Sequence, residues 1–318
     1  MKITVLDHPR ENPGEICWSE LYTLGEVSFY DSTRPEQVVE RVGDAEIVLL
    51  NKTVFSGDAM RRCPNLKMIS AIATGYNTID MATANELGII VSNVPSYGTL
   101  AIAQHAFALL LEITNHVAHH DTEVRKGRKN SERDWCFWDY PPIELENKTM
   151  GILGLGRIGF AMMQMARGFG MKVIACDPYP SDAAIAAGCR YVSEDELYAQ
   201  ADVLSLHCPL LPGQEHKINR DTIAKMKDGV IFLNNSRGAL VDEAALAEGL
   251  KSGKIYAAGL DAVEYEPIAM DNPLLDAPNC FITPHISWAA RECRQRLVDT
   301  TLENVRNYLR GAPSNVVH

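Results

Sequence analysis

Three side chains in the last third of the chain, Arg237, Glu266 and His285, have the types needed to handle a small carboxylic acid that gains or loses a proton. A guanidinium grips a carboxylate through two parallel hydrogen bonds. An imidazole exchanges a proton with a hydroxyl near neutral pH, and a neighbouring carboxylate favours its charged form and raises its pKa. Each residue also has an ordinary alternative: a structural salt bridge for Arg237, a solvated loop for Glu266, a satisfied strand-end histidine for His285. Their placement argues against three coincidences. The apolar run 230–233 leads into Asn234-Asn235-Ser236-Arg237-Gly238, the run 255–260 into Asp261 with Glu264 and Glu266, and the run 281–283 into Pro284-His285. In an open parallel sheet, ligands bind in the crevice beyond the carboxyl ends of the strands.

An earlier stretch predicts the co-reactant. Residues 150–153 form an apolar run that enters Gly154-Leu155-Gly156-Arg157-Ile158-Gly159, and residues 160–169 continue with helix-like spacing. Glycines spaced G-x-G-x-x-G between a strand and a helix allow a tight turn, close approach of a pyrophosphate, and close packing of helix on strand. The helix N-terminus, starting at Arg157 and Ile158, then meets the negative charge. The next strand-like run, 172–176, ends in Asp177, near the spacing of about 20 residues expected for a ribose-binding acid. Such an acid repels a 2′-phosphate, so the expected cofactor is NAD rather than NADP. With a nicotinamide, the three side chains suit reversible hydride transfer at a carbon bearing a hydroxyl or carbonyl beside a carboxylate.

The elements that must position these groups are legible as an α/β alternation. In the first hundred residues strand-like runs fall at 2–6, 27–30, 46–50, 67–73 and 89–91, each followed by a polar, helix-compatible segment. Two turns there offer groups to a small anion: Asn51-Lys52-Thr53, and Ala73-Thr74-Gly75-Tyr76-Asn77 with its exposed backbone N–H groups. A solvated lysine and a plain turn are the competing readings. Helical spacing over 101–124 predicts one long helix, with His116, His119 and His120 near its end and no metal role. The segment 134–142 concentrates Trp135, Phe137, Trp138 and Tyr140, as an interface loop or as a loop packed on its own domain. Ser193 and Glu196 have the form of a capping box. A last helix over about 289–309 lies beyond the nucleotide-binding segment.

Composition bounds the reading. The 318 residues suit two domains, and a hydrophobic fraction of 46% with 22% charged residues is ordinary for a soluble globular chain. A formal charge of −11 and an isoelectric point near 5.3 argue against a nucleic-acid partner. No apolar run approaches the ~18 to 20 residues of a membrane span, and the start reads as a first strand, so no membrane association and a cytoplasmic location are expected. The eight cysteines are scattered without a C-x-x-C pair, which predicts reduced thiols, with neither disulfides nor a metal cage.

Taken in order, the glycine motif with Asp177, Asn235-Ser236-Arg237-Gly238, the stretch 259–267 and Thr283-Pro284-His285 resemble the D-isomer-specific 2-hydroxyacid dehydrogenase family over nearly the whole chain. That resemblance implies two Rossmann-like doubly wound parallel-sheet domains. One is a flavodoxin-like substrate domain of residues 1–99 and 290–318, and the other is an NAD-binding Rossmann domain of residues 100–289. It implies that Arg237 binds and polarises a 2-keto acid and that His285, paired with Glu266, is the acid/base. Lys52, Gly75 and Tyr76 would help bind the substrate. Gly154, Gly156, Arg157, Ile158, Gly159, Asp177, His207, Pro209, Asn235, Ser236 and Asp261 would bind NAD, with Asp261 at the nicotinamide end. A homodimer through the nucleotide domain is implied as well. Asn51-Lys52-Thr53, Ala103-Gln104-His105 and the stretch 283–289 are similar to the glycerate dehydrogenase, or hydroxypyruvate reductase, branch. Gln104 stands where many branches carry Glu, and Ala262 where Val is commoner. Two alternatives stay open: a phosphoglycerate dehydrogenase-like or other 2-keto acid reductase, and an NAD-sensing corepressor-type binding protein.

Overall fold

The apolar runs of the first hundred residues form β1 (Lys2–Val5), β2 (Glu26–Phe29), β3 (Ile47–Leu50), β4 (Met68–Ala71) and β5 (Ile90–Ser92) in the computed structural model, which describes residues 1–7 and 16–318. They pair in parallel in the order β2-β1-β3-β4-β5, the flavodoxin-like winding. All four residues of β3 and of β4 are buried, as strands covered on both faces must be. These elements belong to a compact unit made of Met1–Tyr97 and Ala289–His318. The helix Arg291–Leu309 contributes Leu297, Val298, Leu302 and Val305 to its buried residues. The fully buried Asn304 donates to the Asn93 carbonyl at 2.9 Å and accepts from Ser314 and Asn315, which anchors the chain end. A short final strand then lies antiparallel on β5.

The second unit, Gly98–Trp288, carries β6 (Thr149–Leu153), β7 (Lys172–Cys176), β8 (Cys189–Tyr191), β9 (Val203–Leu206), β10 (Val230–Asn234), β11 (Ile255–Leu260) and β12 (Cys280–Ile282). All are parallel, in the order β8-β7-β6-β9-β10-β11-β12. This is the nucleotide-binding winding with one strand added, and its switch point lies between β6 and β9. Two apolar cores flank the sheet, one holding Met150, Ile152, Leu233 and the helix residues Ala103, Ala106 and Leu110, the other Leu204, Phe232, Leu246 and Leu260.

Local signals are realised closely. Ser193 Oγ accepts from the Glu196 N–H at 3.3 Å, while the Glu196 carboxylate accepts from the Ser193 N–H at 3.1 Å. The long helix expected over 101–124 is instead two, Thr99–Asn115 and Val117–Arg125, broken at His116 with φ of +48°. A left-handed histidine is uncommon. Here the ring is buried against Tyr140, with centroids 4.1 Å apart, and burial lowers its pKa, so packing favours the neutral form at the corner. No helix among the described residues is long and apolar enough to cross a membrane.

Candidate active site

The turn after β6 contains three glycines that are glycine for different reasons. Gly154 has φ of +92°, and a β-carbon there would lie 2.5 Å from the Cys208 nitrogen in the turn after β9. At Gly159 a β-carbon would lie 2.3 Å from the Gly154 carbonyl oxygen, so its absence lets the helix Arg157–Gly168 sit on its own strand. Gly156 has an ordinary φ of −71°, and a β-carbon there would meet no protein atom within 4 Å. Neither backbone conformation nor protein packing requires glycine at 156, whereas a ligand lying in that open space would. Gly156 also offers no side-chain cap to the helix it precedes, leaving first-turn N–H groups available to an anion.

The rest of the carboxyl edge is built around this turn. Asp177, after β7, accepts from the Leu155 N–H at 2.7 Å and from the Tyr179 N–H at 2.8 Å, so it braces the glycine loop with one lobe of each oxygen. After β9, His207 Nε2 meets Ser205 Oγ at 2.9 Å, and desolvation pushes its pKa down to about 4, which keeps the ring neutral. Pro209, two residues on, is exposed. After β10, Ser236 Oγ donates to the Cys208 carbonyl at 2.5 Å. Asn235 beside it is buried, and neither its side-chain oxygen nor its nitrogen has a hydrogen-bond partner. A buried primary amide without partners is costly, and a ligand amide could satisfy both ends. A pyrophosphate at Gly156 and a carboxamide at Asn235 are features of one molecule, a nicotinamide dinucleotide.

Arg237 follows, exposed, with Nη1 donating to the Ser236 carbonyl at 2.9 Å. That contact uses one of the guanidinium's five donors. His285 stands after β12 with its Nδ1 2.9 and 2.8 Å from the two oxygens of Glu266. Its other nitrogen, Nε2, is the one left for proton exchange. Glu264, the neighbouring acid, pairs with His216 instead, at 3.2 Å.

The turn carrying His285 is held from below. His285 has φ of +57°, and its carbonyl accepts from Trp288 Nε1 at 2.8 Å. Asp261, 1% exposed, accepts from the backbone N–H groups of Ile286 and Ser287 at 2.9 and 2.8 Å and from Thr283 Oγ1 at 2.6 Å. A hydroxyl has one hydrogen, and Thr283 gives it to a carboxylate that can only accept. The 3.0 Å contact between Thr283 Oγ1 and His105 Nε2 therefore has the imidazole as donor, which assigns its tautomer. Sequence reading gave His105 no role at this turn; it lies 178 residues from Thr283, and no local signal links them.

In the first unit, Lys52 is exposed after β3, and Gly75 and Tyr76 follow β4, at the carboxyl edge of that sheet. The buried Asp7 carboxylate takes the N–H groups of Asn51, Lys52 and Thr53, so that turn offers its lysine side chain rather than its backbone. The other turn is shaped by Asn93, whose Nδ2 donates to the Thr74 carbonyl at 2.8 Å, and by Thr74 Oγ1, which donates to the Val94 carbonyl. The N–H groups of Gly75 and Tyr76 donate to no atom among the described residues. At the opposite edge of this sheet a depression of about 510 Å³ contains Lys2 and Lys67, already paired with Asp44 and Glu46. No group of three metal-ligating side chains occurs among the described residues. His119 instead pairs with Asp139 at 2.7 Å, and His120 Nδ1 meets the His116 carbonyl.

Comparisons with known proteins give the family. Residues 107–287 match the family model described as D-isomer specific 2-hydroxyacid dehydrogenase, NAD binding domain. The chain is 53% identical to a hydroxypyruvate reductase of Blautia hydrogenotrophica over the whole of both chains. It is 38% identical to a glycerate dehydrogenase of Methylorubrum extorquens, over 91% of this chain and 90% of that one. Among solved structures, the TT0316 protein of Thermus thermophilus superposes with a TM-score of 0.90 at 33% identity, covering all of both chains. The protein belongs to the D-isomer-specific 2-hydroxyacid dehydrogenase family, with NAD as its cofactor.

Proposed function

We propose that the protein reduces hydroxypyruvate and glyoxylate to D-glycerate and glycolate with NADH, reversibly. The observation that carries this reading is the approach of His285 Nδ1 to both Glu266 oxygens on the same sheet edge as the exposed Arg237 guanidinium. The names of the relatives narrow the substrate class to small 2-keto acids. Gly154, Gly156 and Gly159, with the first-turn N–H groups of Arg157 and Ile158, would hold the pyrophosphate. Asp177 would hold the adenosine ribose, and Asn235, with Ser236, His207, Pro209 and Asp261 around it, the nicotinamide end. The bound dinucleotide supplies the hydride.

The chain's own residues supply the rest. Arg237 clamps the substrate carboxylate and polarises the carbonyl, which then needs a proton as it becomes a hydroxyl. His285 gives that proton from Nε2, while Glu266 holds the proton on Nδ1 and orients the ring. In the oxidative direction the neutral ring, kept in its Nδ1–H tautomer, takes the proton back. In the first unit, Lys52 and the N–H groups of Gly75 and Tyr76 would receive the substrate carboxylate.

NADH oxidation against hydroxypyruvate, glyoxylate, pyruvate and 3-phosphohydroxypyruvate tests the proposal, with hydroxypyruvate expected to have the highest kcat/KM. Dominance of the phosphorylated acid would reassign the protein to a phosphoglycerate dehydrogenase role. Tight NADH binding with no turnover would favour a sensing role. The eight unpaired thiols suit a reducing, cytoplasmic setting. Exposed Trp135 and Trp138 lie on a loop fixed by Asp139 to His119 and Arg128, which supports a homodimer through this face, measurable by light scattering.

A further inference from the structure

Between β11 and β12, residues 264–273 carry Glu266 with almost no burial of their own; Tyr265 is 74% exposed and Met270 89%. A loop so exposed would not hold a carboxylate at hydrogen-bonding distance from His285 without anchors. The anchors come from one buried acid. Glu243, 9% exposed at the start of the helix Glu243–Ser252, accepts from the Glu264 N–H at 2.7 Å through one oxygen and from Asn272 Nδ2 at 2.6 Å through the other. Asn272 in turn accepts from the N–H of the buried Leu274. The segment Glu264 to Asn272 is thus pinned at both ends by one side chain, with Glu266 in between.

Glu243 also lies six residues beyond Arg237 in the chain, and the two are joined by a rigid piece. Gly238 packs so closely on the Val263–Glu264 backbone that a β-carbon would lie 1.9 Å from the Val263 carbonyl carbon. The helical turn Gly238–Leu240 and the Asp242 cap then deliver Glu243. His216, Arg237, Glu264, Tyr265, Glu266, Asp271 and His285 are among the charged or titratable groups on and around this loop. Among them Glu264 is engaged by His216 and Glu266 by His285.

We propose that Glu243 is a positioning residue that fixes Glu266 against His285 Nδ1, by pinning both ends of the loop that carries it. The proposal rests on the assignment of His285 as the acid/base, and its test reads the ligand-free protein so that the two can fail separately. In Glu243→Gln the amide keeps its size but has one acceptor where the loop needs two. Hydrogen exchange at the Glu264 amide should accelerate tenfold or more, and the ¹⁵N shifts of His285 should move from the Nδ1–H tautomer toward the Nε2–H tautomer that an unpaired imidazole prefers. In the holoenzyme kcat should fall while the NADH Kd is unchanged, and adding Glu243→Gln to Glu266→Gln should cost nothing further. Asn272→Ala removes the other anchor without touching Glu243 and should reproduce a weaker version, which covers the case in which Glu243→Gln does not fold. If either variant folds with an altered melting temperature but leaves the His285 tautomer as in the wild type, Glu243 is structural and the proposal is wrong. If the tautomer shifts while kcat does not, the positioning holds and the acid/base assignment falls.

Discussion

The carboxyl edge of the second sheet presents side chains: the Arg237 guanidinium, the His285 imidazole and the orphaned Asn235 amide. The carboxyl edge of the first sheet presents the backbone N–H groups of Gly75 and Tyr76 and one exposed lysine. Both edges are built from the ends of parallel strands, but they do not share a vocabulary. Side chains can clamp, polarise and exchange protons, so the proposed function assigns the reactive chemistry to the second edge. Backbone donors can recognise a carboxylate yet cannot titrate, so the first edge is suited to selection. Substitutions should divide accordingly, with rate effects on one side and affinity effects on the other.

The largest expected effect is at His285. His285→Ala should lower turnover in both directions by about 10² to 10⁴-fold, the usual value of general acid/base help, with NADH binding retained. A loss under tenfold in steady-state assays would break the division. Next in size is a pH effect at His207. Its imidazole protonates near pH 4 when folded and near 6.5 when unfolded. Between those values the unfolded chain binds the extra proton, so stability falls as pH falls through the window, on the order of 3 kcal/mol in all. Urea melts at pH 7 and 4.5 should show His207→Gln losing less stability than the wild type. Equal losses would mean that the ring is not desolvated.

Smaller changes separate binding from folding. Gly156→Ala adds a methyl group to open space, so its melting temperature should stay put while NADH affinity drops by about tenfold or more, roughly 1.4 kcal/mol. Unchanged affinity by fluorescence titration would leave that glycine unexplained. Asp177→Asn should erode the preference for NADH over NADPH by removing the charge, whereas Asp177→Ala should also destabilise by about 1 to 3 kcal/mol, because the Leu155 N–H loses its acceptor. Equal use of both cofactors by the wild type would overturn this. The smallest effect tests the first edge: Asn93→Ala loosens the Thr74–Tyr76 turn and should raise the substrate KM several-fold with kcat little changed. A fall in kcat at constant KM would give that edge a share of the chemistry.

Much of this was legible in the sequence because the signals are local. The glycine spacing, the acid ending β7 and the side chains ending β10, β11 and β12 are each read within a few residues, and a parallel sheet brings strand ends to one edge without further information. The choice between Glu264 and Glu266 was open to pattern alone, and loop geometry decided it: one acid meets His216, the other His285. The break at His116 escaped because neither glycine nor proline marks it, and stacking on a tyrosine 24 residues later supports it. His105, Asp7 and Glu243 escaped for a similar reason. Their partners lie between 21 and 178 residues away, and the residue types are ordinary for a helix or a strand end.

The left-handed backbone of His285 has a consequence for how this protein would evolve under different pressures. That conformation destabilises a residue with a β-carbon by about 1 to 2 kcal/mol, and glycine or asparagine by less. Asp261 and Trp288 hold the turn whichever residue occupies it, since they bond to its neighbours and to its carbonyl. A library sorted for heat resistance alone should therefore enrich His285→Gly and His285→Asn, and a library sorted for growth on the enzyme's product should restore histidine. The position would record, in its amino acid, which of the two demands was imposed.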